Sequence, residues 1–96
     1  MMNITTTVSG DTATLALEGW LDTQTAPELG KAVAALAPEA VNIVLDFEKL
    51  EYISSAGLRQ LVAIYKKAKS LVICHVSPEI MDVFKMTGLE KRLNIQ

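Results

Sequence analysis

Two short apolar runs constrain this chain more than anything else in it: Val41-Asn42-Ile43-Val44-Leu45, and Leu71 to Val76, with Leu58, Leu61, Val62 and Tyr65 at helical spacing between them. The runs have the length of strands, and the i, i+3, i+4, i+7 spacing is that of a helix with one apolar face. Strands separated by a helix call for a parallel crossover, and such crossovers are nearly always right-handed. Because the first run is almost continuously apolar, it reads as a central strand covered on both faces.

The rest of the chain extends the pattern. Asn3 to Val8 and Thr12 to Glu18 favour strands, and Ser9-Gly10-Asp11 supplies turn chemistry between them, so the chain opens on a β-hairpin. In the second arm Ala13, Leu15 and Leu17 alternate with Thr12, Thr14 and Ala16, the period of a strand with one better-buried face. Gly19-Trp20-Leu21-Asp22 is then expected to leave the sheet. Thr25-Ala26-Pro27-Glu28 has the form of a capping box, with Thr25 accepting from backbone N–H groups and Glu28 reaching back. Pro27 fits the first turn, where its missing donor costs nothing. Leu29, Val33, Leu36 and Ala37 follow at helical spacing, and Pro38 stops the helix.

After the central run, Asp46-Phe47-Glu48-Lys49-Leu50-Glu51 reads as an acidic turn. Arg59, Lys66, Lys67 and Lys69 fall on the wet side of the second helix. Ser77-Pro78-Glu79 opens a third helix, with the stripe Ile80, Val83 and Phe84, and Gly88 ends it. Met81 and Met86 lie close to that stripe and are expected to pack in the core. The predicted fold is α/β, in the order ββαβαβα, a mixed sheet flanked by helices. With 96 residues there is room for one core, so residues 1–96 are read as one domain.

Charge narrows the function. A net charge of −2 lacks the basic footprint of sequence-independent DNA or RNA binding, so no direct nucleic-acid partner is expected. The halves differ: residues 1–57 carry eight acids and two bases, residues 58–96 seven bases and three acids, an asymmetry able to orient a protein partner. Cys74 is the only cysteine. No intramolecular disulfide can form, and a reducing cytoplasm is the expected setting. The first residues lack a signal peptide's basic start and apolar run, and no stretch is long enough to cross a bilayer, so direct membrane contact is not expected.

Catalytic and metal chemistry find little support. A nucleophile elbow needs glycine two residues before its serine, where Ser55 has Ile53. His75, the only histidine, is read as the next strand residue after Cys74; side chains of neighbouring strand residues point to opposite faces, so the two are not expected to pair. No metal is expected, no carboxylate pair being placed to complete a site with them. The glycines are scattered singly, without a phosphate-binding loop, and no cofactor is expected.

What remains is Ser54-Ser55, at the start of the second helix. The plain reading is a helix cap, worth about 1 kcal/mol. The sharper reading is a modification site. A phosphate there meets unpaired backbone N–H groups and the positive end of the helix dipole, which favour anions by roughly 0.3–2 kcal/mol. A partner pressed onto the same surface would instead have to desolvate an added charge of about −1.5 to −2, close to Asp46, Glu48 and Glu51 if the acidic turn folds back.

These residues form a set with others: Gly19-Trp20-Leu21-Asp22, the strand end Leu45-Asp46-Phe47, Ile53-Ser54-Ser55-Ala56-Gly57-Leu58, Cys74-His75-Val76-Ser77-Pro78, and Phe84-Lys85-Met86-Thr87-Gly88-Leu89. With the opening hairpin they make the whole chain resemble the STAS domain, in particular the stand-alone anti-sigma factor antagonists of bacterial sporulation and stress control. In that family the first set reads G-x-L-D and the third D-S-[ST]-G-L. Aligned on Gly57-Leu58, the serine phosphorylated in the family falls on Ser55. Ser54 stands where relatives often have aspartate, and either caps the helix or takes phosphate itself.

The resemblance implies a cycle. The unphosphorylated chain captures an anti-sigma factor that is also a serine kinase, which frees a sigma factor; phosphorylation of Ser55 ends the capture, and a phosphatase restores it. The kinase supplies the ATP site. Docking is expected at Asp22 and Thr23 together with Ser54, Ser55, Ala56, Gly57, Leu58 and Arg59. The alternative that the resemblance leaves open is a STAS subunit of an ABC-type lipid transport complex. Relatives commonly continue into a further helix after the segment matching Leu93-Asn94-Ile95, which leaves the oligomeric state open.

Overall fold

The computed structural model describes residues 2–96. Strands β1 (Met2–Ser9) and β2 (Thr12–Leu21) form the expected hairpin, in antiparallel register from Met2 opposite Gly19 to Ser9 opposite Thr12. Its loop is Gly10-Asp11 alone. Gly10 takes φ +61°, the conformation required at the first position of a type II′ loop and free of strain only without a Cβ.

Then follow α1 (Ala26–Ala34), β3 (Asn42–Ile53), α2 (Ser55–Lys67), β4 (Ser70–Cys74) and α3 (Pro78–Thr87), which is the order ββαβαβα. A 3-10 turn (Leu89–Lys91) and the strand β5 (Asn94–Ile95) come after it. The sheet has the strand order β1-β2-β3-β4-β5. Only the β1–β2 pair is antiparallel; β2, β3, β4 and β5 run parallel to one another, so the sheet is mixed and the class is α/β.

The core sits on one side of this sheet. Register sets Ala13, Ile43 and Leu71 in one row and Leu15, Leu45 and Ile73 in the next. All six are buried, and Leu29 of α1, Leu61 and Ile64 of α2, and Ile80 and Phe84 of α3 join them in a single cluster. The Phe84 ring stacks on that of Phe47, with centroids 6.4 Å apart. Thr14, Val44 and Val72, which face the other way, are only half-buried. The expectation that β3 is covered on both faces is therefore corrected: Val44 is shielded by its neighbours in the sheet and has no second helical layer above it.

Two strands are longer than expected. Gly19-Trp20-Leu21 does not leave the sheet but completes β2, and Asp46–Glu51 is no turn but the middle of β3. The reason is irregular register. Pairing shifts between Ala16 and Glu18 and again between Gly19 and Trp20, so the buried positions of β3 step from Phe47 to Leu50 to Ile53. Such bulges erase the period of two by which a strand is recognised.

The helices also depart in detail. Helix α1 ends at Ala34, leaving Leu36 half-buried and Ala37 exposed beyond it. The buried face of α2 is Gly57, Leu61 and Ile64; Leu58 and Val62 flank it, and Tyr65 faces solvent. On α3 the cap at Ser77 and the left-handed Gly88 stand as expected, but Met86 is 85% exposed and does not pack in the core.

Candidate functional site

The C-terminal ends of β2 and β3 and the start of α2 meet at one rim. Ser54 leaves β3 in extended conformation, and its N–H donates to the carbonyl of Leu21 at 2.9 Å, tying the helix start to the end of β2. The Ser54 hydroxyl accepts from the N–H of Gly57 at 3.3 Å, and its carbonyl accepts from the N–H of Leu58 at 2.9 Å. Ser54 is thus the N-cap of α2, the first of the two roles that the sequence left open for it.

Ser55 is the first residue of α2 and is exposed. Its hydroxyl makes no side-chain hydrogen bond among the described residues, whereas that of Ser54 is engaged. Ala56 and Leu58 are half-buried, Gly57 is buried and Arg59 is exposed. No acid occupies the first turn of α2, so nothing there offsets the positive end of the helix dipole. The carboxylates of Asp46, Glu48 and Glu51 do not fold back onto Ser55, because that segment is extended strand.

Asp22 and Thr23 follow Leu21 directly and complete the rim. The Asp22 carboxylate accepts the N–H groups of Gln24 at 3.0 Å and Thr25 at 3.1 Å. The Thr25 N–H, foremost, holds the Asp22 carboxyl below its ordinary value against the opposing effect of burial, with the Thr25 hydroxyl and the Gln24 N–H adding to it. The expected capping box at Thr25 is not formed. Thr25 is in helical conformation without a side-chain cap, and its hydroxyl works in the opposite direction: it donates to the Trp20 carbonyl at 2.7 Å and accepts the Asp22 N–H at 2.8 Å. Thr25 is 3% exposed, so these bonds are shielded and fix the path from β2 into α1.

Two aromatic residues belong to the rim that sequence reasoning did not assign to it. Trp20 and Tyr52 are register partners, 51% and 47% exposed, with ring centroids 5.4 Å apart and planes tilted by 52°. They stand on the sheet face opposite to buried Leu21 and Ile53. A large aromatic residue before Leu21 was the available signal, hidden by the assumption that the strand had ended. One turn beyond Ser55 on α2, Leu58 and Arg59 begin an open groove of about 480 Å³ that is also lined by Val62, Lys66 and Leu89.

The structure overturns the separation expected between Cys74 and His75. Strand β4 stops at Cys74, and His75 takes φ +57°, which turns its ring back toward β3. Its Nδ1 lies 2.9 Å from Asp46 Oδ1. Asp46, by this hydrogen bond first and by its charge, raises the imidazole above its ordinary value, and the His75 ring is exposed.

Comparison with known proteins agrees with the geometry. The family model described as "Mlab, STAS domain" matches residues 4–95. BtrV of Bordetella bronchiseptica, assigned to the anti-sigma factor antagonists, is 34% identical over 77 residues, an alignment that covers 75% of this chain and 66% of BtrV. The anti-sigma-B factor antagonist of Staphylococcus aureus is 29% identical, with 98% of this chain and 92% of that protein covered. Among solved structures, an anti-sigma factor antagonist from Mycobacterium paratuberculosis superposes with a TM-score of 0.86 at 23% identity, over 99% of this chain and 85% of that one. The unphosphorylated form of the antagonist SpoIIAA superposes with a TM-score of 0.72 at 16% identity, over 100% of this chain and 87% of its own. The hairpin, the parallel strands, the glycine-leucine start of α2 and the family match along almost the whole chain have one explanation: the chain belongs to the STAS domain family.

Proposed function

We propose that this chain is an anti-sigma factor antagonist, a binding protein rather than an enzyme. In the bacterial cytoplasm its unmodified form captures an anti-sigma factor that is also a serine kinase, through Asp22, Thr23 and the segment Ser54 to Arg59, and so frees a sigma factor. Phosphorylation of Ser55 ends the capture, and a phosphatase resets it. The observation that carries this reading is the division between adjacent hydroxyls: Ser54 holds the helix, and Ser55 is exposed with its oxygen unengaged. The names of the relatives point the same way.

Phosphorylation at Ser55 adds a charge of about −1.5 to −2 without taking away any bond that holds the fold. A docked partner must desolvate that charge, and about 2.7 kcal/mol is enough to weaken a complex a hundredfold. The decisive experiment is a pull-down of the unmodified chain against Ser55→Glu, followed by mass spectrometry after incubation with the captured kinase and ATP. The expected outcome is one phosphate, on Ser55, and loss of capture by Ser55→Glu at unchanged melting temperature. Capture of a transporter ATPase instead of a kinase would select the transport-subunit reading. No described helix is long and apolar enough to cross a membrane.

A further inference from the structure

Asp46, Cys74 and His75 take no part in the docking described above, yet their metal-ligating atoms lie within 4.8 Å of one another. The fold brings them together in two steps. Asp46 and Cys74 are register partners on β3 and β4, so both side chains leave the sheet on the same face, the one without helices. His75 would point to the other face if the strand continued. Its φ of +57°, the only positive value at a non-glycine residue among those described, returns its Nδ1 to within 2.9 Å of Asp46 Oδ1. A residue with a Cβ enters this backbone region at a cost, and here the result is a carboxylate, a thiol and an imidazole converging on one spot.

The geometry points to a Zn²⁺ site in which Asp46, Cys74 and His75 are the protein ligands and water fills the remaining position. Carboxylate, thiolate and imidazole are zinc's own ligand types. Sulfur and nitrogen in the set argue against Mg²⁺ and Ca²⁺, which bind through oxygen. The charges suit as well, since one carboxylate, one thiolate and a neutral imidazole balance a dication. Both hydrogen bonds made by the Asp46 carboxylate fall on Oδ1, from the Glu48 N–H at 3.0 Å and from His75. The first orients the carboxylate, and Oδ2 is left to coordinate.

Binding forms zinc–sulfur and zinc–nitrogen bonds and releases the Cys74 thiol proton to solvent; the hydrogen bond from His75 Nδ1 to Asp46 Oδ1 breaks, the Nδ1 proton is given up to solvent, and the neutral ring that coordinates through Nδ1 carries its one proton on Nε2. Zinc binds the thiolate, so the metal displaces the proton from sulfur as it binds. Bond lengths of about 2.0–2.3 Å require the three atoms to draw in to roughly 3.5 Å from one another. The His75 side chain is 60% exposed and free to make that movement.

The test is a titration of the full chain with ZnCl₂ by calorimetry in buffers of different ionisation enthalpy, with Co²⁺ as a spectroscopic substitute. One zinc per chain is expected, with a proton release that is smaller in Cys74→Ser by the thiol's proton. Co²⁺ should give a near-ultraviolet thiolate-to-metal band that the same variant lacks. Affinity should fall at least about tenfold in Cys74→Ser and in His75→Asn; asparagine is chosen because it tolerates the left-handed backbone, and circular dichroism would verify that both variants fold. Absence of saturable one-to-one binding, equal affinity in Cys74→Ser, or a cobalt spectrum without the thiolate band would each overturn the assignment. None of these readouts depends on Ser55 or on its partner.

Discussion

A Cβ added to Gly57 would stand 2.8 Å from the carbonyl oxygen of Leu21. The same atom would meet Ile53 Cγ1 at 2.8 Å and Leu21 Cγ at 2.9 Å, and the obstructing oxygen is the one that accepts the Ser54 N–H. Gly57→Ala gains helix propensity worth about 1 kcal/mol, but overpacking against a backbone atom costs typically 1–3 kcal/mol, so the clash prevails. Urea denaturation should show Gly57→Ala destabilised, by up to about 2 kcal/mol. A more stable variant would mean that α2 does not dock this closely on β2.

The neighbouring serines should separate in a stability assay. Ser54→Ala loses the cap to Gly57 and should cost about 0.5–1 kcal/mol, toward the lower end of the usual range because the bond is long. Ser55→Ala removes a hydroxyl with no side-chain partner and should remain within about 0.5 kcal/mol of wild type. Equal losses in chemical denaturation would contradict the assignment of the cap to Ser54.

The turn after β2 should impose a pH dependence. The folded-state carboxyl of Asp22 lies below its ordinary value, chiefly through the Thr25 N–H. Its stabilising contribution is therefore present above the unfolded aspartate value of about 3.9 and is lost as pH falls through the lower folded value. Asp22→Ala should be less stable than wild type at neutral pH, and the two should converge in acid. Melting curves recorded from neutral pH down to below that range check this, and a difference that widened in acid would refute it.

Exposed aromatic residues beside the proposed docking rim are suited to serve as anchors, since tryptophan and tyrosine are prominent among the residues that dominate binding energy. Trp20→Ala should weaken partner capture at least about tenfold and alter stability by about 1 kcal/mol or less, the worth of a surface cross-strand pair. Tyr52→Ala should act in the same direction. Unchanged capture in surface plasmon resonance would place the partner on the α2 groove side alone.

The fold was legible wherever local chemistry and tertiary packing agree. Leu15 and Leu17 alternate and are buried; Ser77-Pro78 and Gly88 bracket α3 as their backbone preferences require. Legibility failed where tertiary contacts decide. The β2–β3 bulges displaced Leu50 and Ile53 from strand period, so a strand passed for a turn. Thr25 chose the Trp20 carbonyl over its own helix, a choice between partners that spacing cannot rank. Of the candidate site, Ser54, Ser55, Asp22 and Thr23 could be read from the sequence with the family resemblance, whereas the Trp20–Tyr52 pair needed the cross-strand register. The pairing of Cys74 with His75 beside Asp46 runs against the strand alternation expected from the sequence, because it depends on one dihedral angle, at His75, for which the sequence carries no signal.

Strand β3 holds both Asp46 and, just past its end, Ser55. An extended strand advances about 3.3 Å per residue, so the steps from Asp46 to Ile53 place the Asp46–Cys74–His75 cluster roughly 20 Å or more from the helix start. No small ligand reaches across such a gap. A protein footprint of ordinary size, about 800 Å² per partner, is wide enough to span it, and β3 acts as a ruler that keeps the proposed zinc site and the proposed phosphorylation site at a fixed interval.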